Sequence, residues 1–156
     1  MPSSVFIETS VPSAYVSRRE DPSSVHRRDA TRQWWSEQLP LYEGWSSDGV
    51  ILELSKGDWP GKSEAIALLD GLPRLAIDDE IIGVARRYIE EQLVPDDVRG
   101  DALHLAAASV HEFDFLLTWN IRHLANPNKV NHLAAINRRL GLLNPVIVTP
   151  EMLWLE

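Results

Sequence analysis

Short unbroken apolar runs alternate along this chain with longer stretches in which apolar residues recur at helical spacing. Val5-Phe6-Ile7 reads as a buried strand, ended by Glu8-Thr9-Ser10 and by Pro12, where a short helix opens. Asp21-Pro22 has the form of an N-cap followed by proline at the first helical position. It predicts a helix from about Pro22 to Gln38, with Val25, Trp34 and Trp35 turned inward. A short strand is expected over Leu41–Trp45. Ser47-Asp48 then caps a helix that carries Val50, Ile51, Glu53 and Leu54. A further helix runs from about Lys62 to Leu69, before Gly71, and a strand from Arg74 to Ile77. Asp78-Asp79-Glu80 forms an acidic first turn, which suits the helix dipole. That helix is expected to reach about Leu93 and to stop before Pro95.

Asp96-Asp97 is expected to start the helix that carries Asp101-Ala102-Leu103-His104-Leu105-Ala106-Ala107-Ala108. Phe115–Trp119 is the clearest strand, followed by a helix from about Val130 to Leu140 that ends at Gly141. Pro145–Thr149 gives the last strand, and Pro150 begins a terminal helical turn. Strands thus alternate with helices and are expected to be apolar throughout. This pattern argues for an α/β fold built on a parallel sheet covered on both faces.

The length, 156 residues, fits a single domain spanning 1–156. The chain holds no cysteine, which excludes disulfides, zinc-thiolate sites and thiol nucleophiles. No apolar run approaches the roughly 20 residues that span a bilayer, and the start lacks the form of a signal peptide. A cytoplasmic protein with no membrane partner is the expectation. The net charge of −8 argues against indiscriminate binding to nucleic acid. Its distribution is uneven. Residues 43–101 carry 14 acidic and 6 basic side chains, whereas residues 115–150 carry no acid and four bases, Arg122, Lys129, Arg138 and Arg139. Arg18, Arg19, Arg27, Arg28 and Arg32 crowd together near the N-terminus. An acidic pocket between basic walls is one reading, and ordinary solvated helices are the plainer one.

Ligands of open parallel sheets bind beyond the carboxyl ends of the strands. Glu8 directly follows one strand and Asn120 another. Glu53 lies among the apolar Ile51, Leu52 and Leu54, and Asp101 opens a helix face shared with His104, Leu105 and Ala108. Each has a plainer explanation: Glu8 as a cap, Glu53 paired with Lys56, Asp101 as a first-turn acid. Together they favour a site, because burying unpaired carboxylates is costly. Converging carboxyl and amide oxygens repel unless a cation joins them, and such donors suit Mg²⁺ or Mn²⁺. His104 reads as a residue packed near the site rather than as a ligand. Ser10 and Thr118 read as hydroxyls that orient the acids. His123 is a weaker catalytic candidate, and Trp34-Trp35 reads as core.

Glu8-Thr9-Ser10, Glu53, Asp101-Ala102-Leu103-His104 and Leu117-Thr118-Trp119-Asn120, in that order and spacing, resemble the PIN-domain nucleases. The resemblance is specifically to the VapC toxins of type II toxin–antitoxin systems. It implies a PIN-like parallel sheet of four or five strands sandwiched between helices, and a Mg²⁺- or Mn²⁺-dependent endoribonuclease. The four acidic positions of the family fall on Glu8, Glu53, Asp101 and Asn120, which the resemblance makes both catalytic and metal-binding. Glu8 is one methylene longer than the usual Asp, and Asn120 lacks the usual charge. The resemblance further implies an RNA substrate steered by Arg18, Arg19, Arg122 and His123, a small antitoxin partner, and leaves room for a homodimer. Two other readings remain open: a catalytically weak or inactive PIN-like module that binds RNA or a protein, and a flavodoxin-like phosphate-handling enzyme with Thr9-Ser10 at a helix N-terminus. The absence of any Gly-x-Gly excludes a Rossmann fingerprint.

Overall fold

Side chains alternate across a strand, so the register of neighbouring strands decides which residues share a layer. The strands are β1 (Ser4–Ile7), β2 (Glu43–Ser47), β3 (Arg74–Leu75), β4 (Phe115–Leu117) and β5 (Val146–Val148). In this computed structural model, which describes residues 1–96 and 99–156, they form one parallel sheet ordered β3-β2-β1-β4-β5. Phe6 is in register with Leu116, and Leu116 with Ile147. All three join the core packed by Val50, Leu54, Leu105, Leu133 and Ile136. Ile7, Leu117 and Val148 form the next row and face Val11 and Trp34 on the opposite side. Both faces are therefore covered, as the continuous apolar strands required. Full burial of each such side chain stabilises the fold by about 1.5–3 kcal/mol before conformational entropy is counted.

Among the described residues seven α-helices flank the sheet: α1 (Ser10–Val16), α2 (Pro22–Glu37), α3 (Asp48–Ser55), α4 (Lys62–Leu68), α5 (Asp79–Glu90), α6 (Arg99–Val110) and α7 (Pro127–Leu140). Their starts follow local chemistry. Asp21, Ser47 and Asp78 accept hydrogen bonds from Ser24, Val50 and Ile81, at 3.1, 3.1 and 3.0 Å, and so satisfy first-turn N–H groups. Gly141 ends α7 at φ +73°, a left-handed position that glycine adopts without steric cost. No helix among the described residues is long and apolar enough to cross a membrane.

Several expected boundaries shift. Leu39–Leu41 forms a 3₁₀ turn, so β2 begins at Glu43 instead of Leu41. This strand is also not apolar throughout. Ser46 and Ser47 are fully buried because Ser46 Oγ donates to Ile7 O at 3.1 Å and Ser47 caps α3. β3 is two residues long, α5 ends at Glu90, and α7 starts at Pro127, capped by Asn126. The turn expected from Pro150 is a single one, closed by Met152 N donating to Thr149 O at 3.0 Å. The expected helix start at Asp96-Asp97 falls partly on Asp97, outside the described residues.

The sheet order also positions the site. From central β1 the chain steps outward to β2 and β3, then returns to β4 on the other side of β1 and continues to β5. The reversal leaves a crevice beyond the carboxyl ends of β1 and β4, where open parallel sheets bind ligands.

Candidate active site

Glu8 stands one residue beyond β1, and its backbone N–H still reaches Leu117 O at 3.3 Å. Its carboxylate is buried, 2% exposed. Such a group needs hydrogen bonds, and Ser10 supplies them. The Ser10 N–H donates to Glu8 Oε1 at 2.9 Å, and Ser10 Oγ donates to the same oxygen. Ser10 Oγ in turn accepts from Trp119 N at 2.8 Å and lies 3.3 Å from Thr118 Oγ1. Thr118 Oγ1 accepts from Asn120 N at 2.8 Å. Ser10 and Thr118 thus tie the end of β1 to the end of β4. Both Ser10 donors thus serve Glu8 and are not free to cradle a phosphate.

The other two acids arrive on helices. Glu53 sits in the last turn of α3, its side chain 36% exposed, and Asp101 in the first turn of α6. His104, one turn further along α6, is 2% exposed. Its Nε2 lies 3.2 Å from Thr9 Oγ1 and 3.5 Å from Glu53 Oε2. Glu53 therefore pairs with His104 rather than chiefly with Lys56. Asn120 donates from Nδ2 to Asp101 Oδ2 at 3.0 Å and accepts from His123 N at 3.1 Å. Its amide oxygen is turned toward a backbone N–H in this arrangement. His123 touches the site through that backbone group.

The four ionisable groups share one electrostatic field. Burial pushes the Glu8 carboxyl up, against the pull of His104, Ser10 and Thr118, while Asp101 adds to the rise. Burial also raises Asp101, with Glu53 adding to it and His104 opposing. Burial would raise Glu53, but its hydrogen bond and charge interaction with His104 prevail and hold it down. Burial would lower His104, but Glu53, Glu8 and Asp101 together outweigh that and raise it. Each carboxylate is thus coupled to the same imidazole, whose protonated form offsets part of their repulsion.

The donor chemistry, carboxylate oxygens around one crevice, fits a hard divalent cation. In the present arrangement no group of three His, Asp or Glu side chains among the described residues is drawn close enough to hold one ion. A residue that the sequence reading did not single out is Gly100. A Cβ there would lie 1.9 Å from Glu53 Oε2, so a larger residue at 100 would push the Glu53 carboxylate out of its present position. The signal was present as a glycine directly before the helix-opening Asp101. Thr9 was likewise missed as a partner of His104.

The basic candidates lie on the rim. Arg19 and Arg122 line a cavity of about 890 Å³ that opens beside Ser10 and Asn120. Arg18 lines a second cavity, about 560 Å³, that includes Glu53. Arg18 is exposed and bonded to Glu64 at 3.0 Å, and Arg19 to Asp21 at 3.1 Å.

No family model matches the sequence, and no curated protein matches it. Solved structures do match the fold. The Mycobacterium tuberculosis toxin VapC20, which cleaves the sarcin-ricin loop, superposes with a TM-score of 0.54 at 14% identity. The match covers 76% of this chain and 92% of that one. A chain of VapBC2 from Rickettsia felis, solved bound to a DNA fragment from their promoter, gives a TM-score of 0.51 at 13% identity. There the match covers 94% of this chain and 98% of the other. The five-stranded parallel sheet and its flanking helices therefore have the PIN-like fold seen in VapC toxins.

Proposed function

We propose that this chain is a divalent-metal-dependent endoribonuclease and the toxin half of a VapBC-type pair. The observation that carries the reading is the geometry beyond β1 and β4: buried Glu8 held by Ser10, Glu53 3.5 Å from buried His104, and Asp101 bonded to Asn120 at 3.0 Å. Three acids gathered where a parallel sheet binds its ligands suit a task that needs negative charge and a cation together. Glu8, Glu53 and Asp101 would hold a Mg²⁺ or Mn²⁺ ion. When bound, the ion supplies water activation and charge neutralisation at a phosphodiester.

The chain's own residues do the rest. Ser10 fixes Glu8 by two hydrogen bonds, so this carboxylate is oriented in advance. Asn120 holds Asp101, and His104 holds Glu53. Arg19 and Arg122 on the rim offer positive charge to an RNA backbone that the acids alone would repel. An antitoxin that placed a Lys or Arg among the three acids would replace the ion and silence the site.

The test uses end-labelled single-stranded RNA and purified protein. Cleavage is expected with Mg²⁺ or Mn²⁺, is lost in EDTA, and is lost in Asp101→Asn. Cleavage undiminished by EDTA in a preparation whose Asp101→Asn counterpart is equally active would defeat the proposal. A second reading, a module that binds RNA without cutting it, is favoured by Asn120. Its amide oxygen is engaged by His123 N and its nitrogen by Asp101. Metal-independent RNA binding with no cleavage in any divalent ion would support that reading.

A further inference from the structure

The two rim cavities share a wall. Ser13, Ser17 and Arg19 line both; Glu53 lines the smaller, and the larger meets Ser10 and Asn120, which bond Glu8 and Asp101. The larger opens at Ser10 and Asn120, the smaller at Thr9 and Glu53. Their chemistry differs. Arg19, Arg27 and Arg122 line the larger cavity, and none of its lining residues is acidic. Arg27 lies over the Trp119 ring, 5.5 Å from its centroid, which holds the guanidinium at the cavity wall. The smaller cavity has Glu53 in its wall, and Trp59, Pro60 and Leu54 form an apolar side. The Trp59 ring is fixed there by its Nε1 donating to Leu54 O at 2.9 Å. Arg18 at this rim is bonded to Glu64. To the shared Arg19 the larger cavity adds two arginines and no acid, which favours a phosphate there; in the smaller, Glu53 offsets Arg19 and a flat uncharged ring finds the Trp59 indole.

Building on the ribonuclease reading, we propose that a single RNA strand crosses the Ser13–Ser17 face of α1. Its phosphates lie in the Arg19/Arg27/Arg122 cavity, and one nucleobase beside the cut enters the smaller cavity against Trp59. Phosphate contacts give affinity without sequence preference, and a base stacked on an aromatic ring beside polar side chains gives preference at one position. Affinity and base choice are therefore carried by different cavities and separate on mutation.

Binding is measured by fluorescence anisotropy of labelled single-stranded RNA 12-mers in EDTA, and base preference by mapping cuts in a mixed-sequence RNA with Mn²⁺. The double variant Arg27→Gln/Arg122→Gln should weaken binding to every 12-mer alike. It should also flatten the slope of log affinity against log salt by roughly 1.4, about 0.7 per lost phosphate contact, while leaving base preference unchanged. Trp59→Leu should lower the preference at one position adjoining the cut about tenfold and keep the salt slope, and Trp59→Phe should restore much of that preference. Thermal melts of all variants confirm folding. Unchanged base preference in a folded Trp59→Leu protein, or an unchanged salt slope in the arginine double variant, overturns the proposal while leaving the ribonuclease reading intact. A wild-type protein that neither binds nor cuts any RNA overturns both.

Discussion

Replacing His104 by glutamine removes a buried positive charge and keeps an amide that can donate to Glu53 or Thr9. The charge matters because Glu53 Oε2 lies 3.5 Å from His104 Nε2. At an effective dielectric of about 20, two unit charges at that distance attract by roughly 5 kcal/mol. Burying the imidazolium offsets much of this, and water reaches the Glu53 side chain, 36% exposed. A net loss of about 1–2 kcal/mol at pH 6 is expected, a fall of about 2–8 °C in Tm for a chain of this size. The pH dependence is the sharper readout. His104 is raised above its ordinary 6.5 in the folded protein. Its stabilisation is therefore complete below pH 6.5 and lost as pH rises through the raised folded value. Glu8 and Asp101 are raised from 4.5 and 3.8, so their protonated forms favour folding and stability falls as pH climbs from about 4. Glu53, held below 4.5, acts with the opposite sign and only below that pH. Urea unfolding in EDTA from pH 5 to 9 separates these windows. The wild type should lose the His104 contribution above pH 6.5; His104→Gln lacks it, and its loss should begin lower, as Glu8 and Asp101, freed of the imidazolium, are raised further. Parallel curves for the two proteins across pH 6.5–9 would refute the placement of a charged imidazole among these acids.

Asp101→Asn should abolish RNA cleavage by at least about 100-fold and leave stability in EDTA equal or about 1 kcal/mol higher, since Asn120 can still donate to the new amide oxygen; a large fall in Tm would make Asp101 a structural cap. Asn120→Asp adds a carboxylate beside Asp101, so calorimetric Mn²⁺ affinity should rise and stability in EDTA should fall; identical affinities and stabilities would place Asn120 outside the metal pocket. Tyr88→Phe strips Asn137 Oδ1 of a 2.5 Å hydrogen bond in the core and should cost about 1–3 kcal/mol in urea unfolding, with RNA cleavage unchanged. The Tyr88 phenol itself, pushed up to about 12 by burial, should stay neutral in a spectroscopic titration to pH 11.

Element type was legible where one chemical signal dominated. Val5–Ile7 and Phe115–Leu117 are continuous apolar runs, and Asp21-Pro22 and Ser47-Asp48 announce helix starts that the backbone uses. β2 was misplaced because Glu43–Ser47 has no apolar run; its burial depends on Ser46 reaching Ile7 O, a partner 39 residues away. The acids could be singled out because a lone Glu53 among leucines and a Glu8 at a strand end break the local pattern. Their arrangement could not be read in advance, since it depends on which strands neighbour β1. The His104–Glu53 pair and the close passage of Gly100 past Glu53 arise only once α3 and α6 pack together.

The central place of β1 bears on when the candidate site is first assembled. β1 is made before β4 and must wait for it: Asp114, just ahead of β4, clasps Ser4 through bonds of 2.9 and 3.0 Å across 110 residues. Closing so long a loop is slow, and until it closes Glu8 has no Trp119 or Thr118 beside Ser10. The four site positions, 8, 53, 101 and 120, are thus gathered only after the last of them has been made and has left the exit tunnel. If the proposed ribonuclease reading holds, topology keeps a nascent chain from cutting RNA until residue 120 has left the tunnel and met residues 8, 53 and 101.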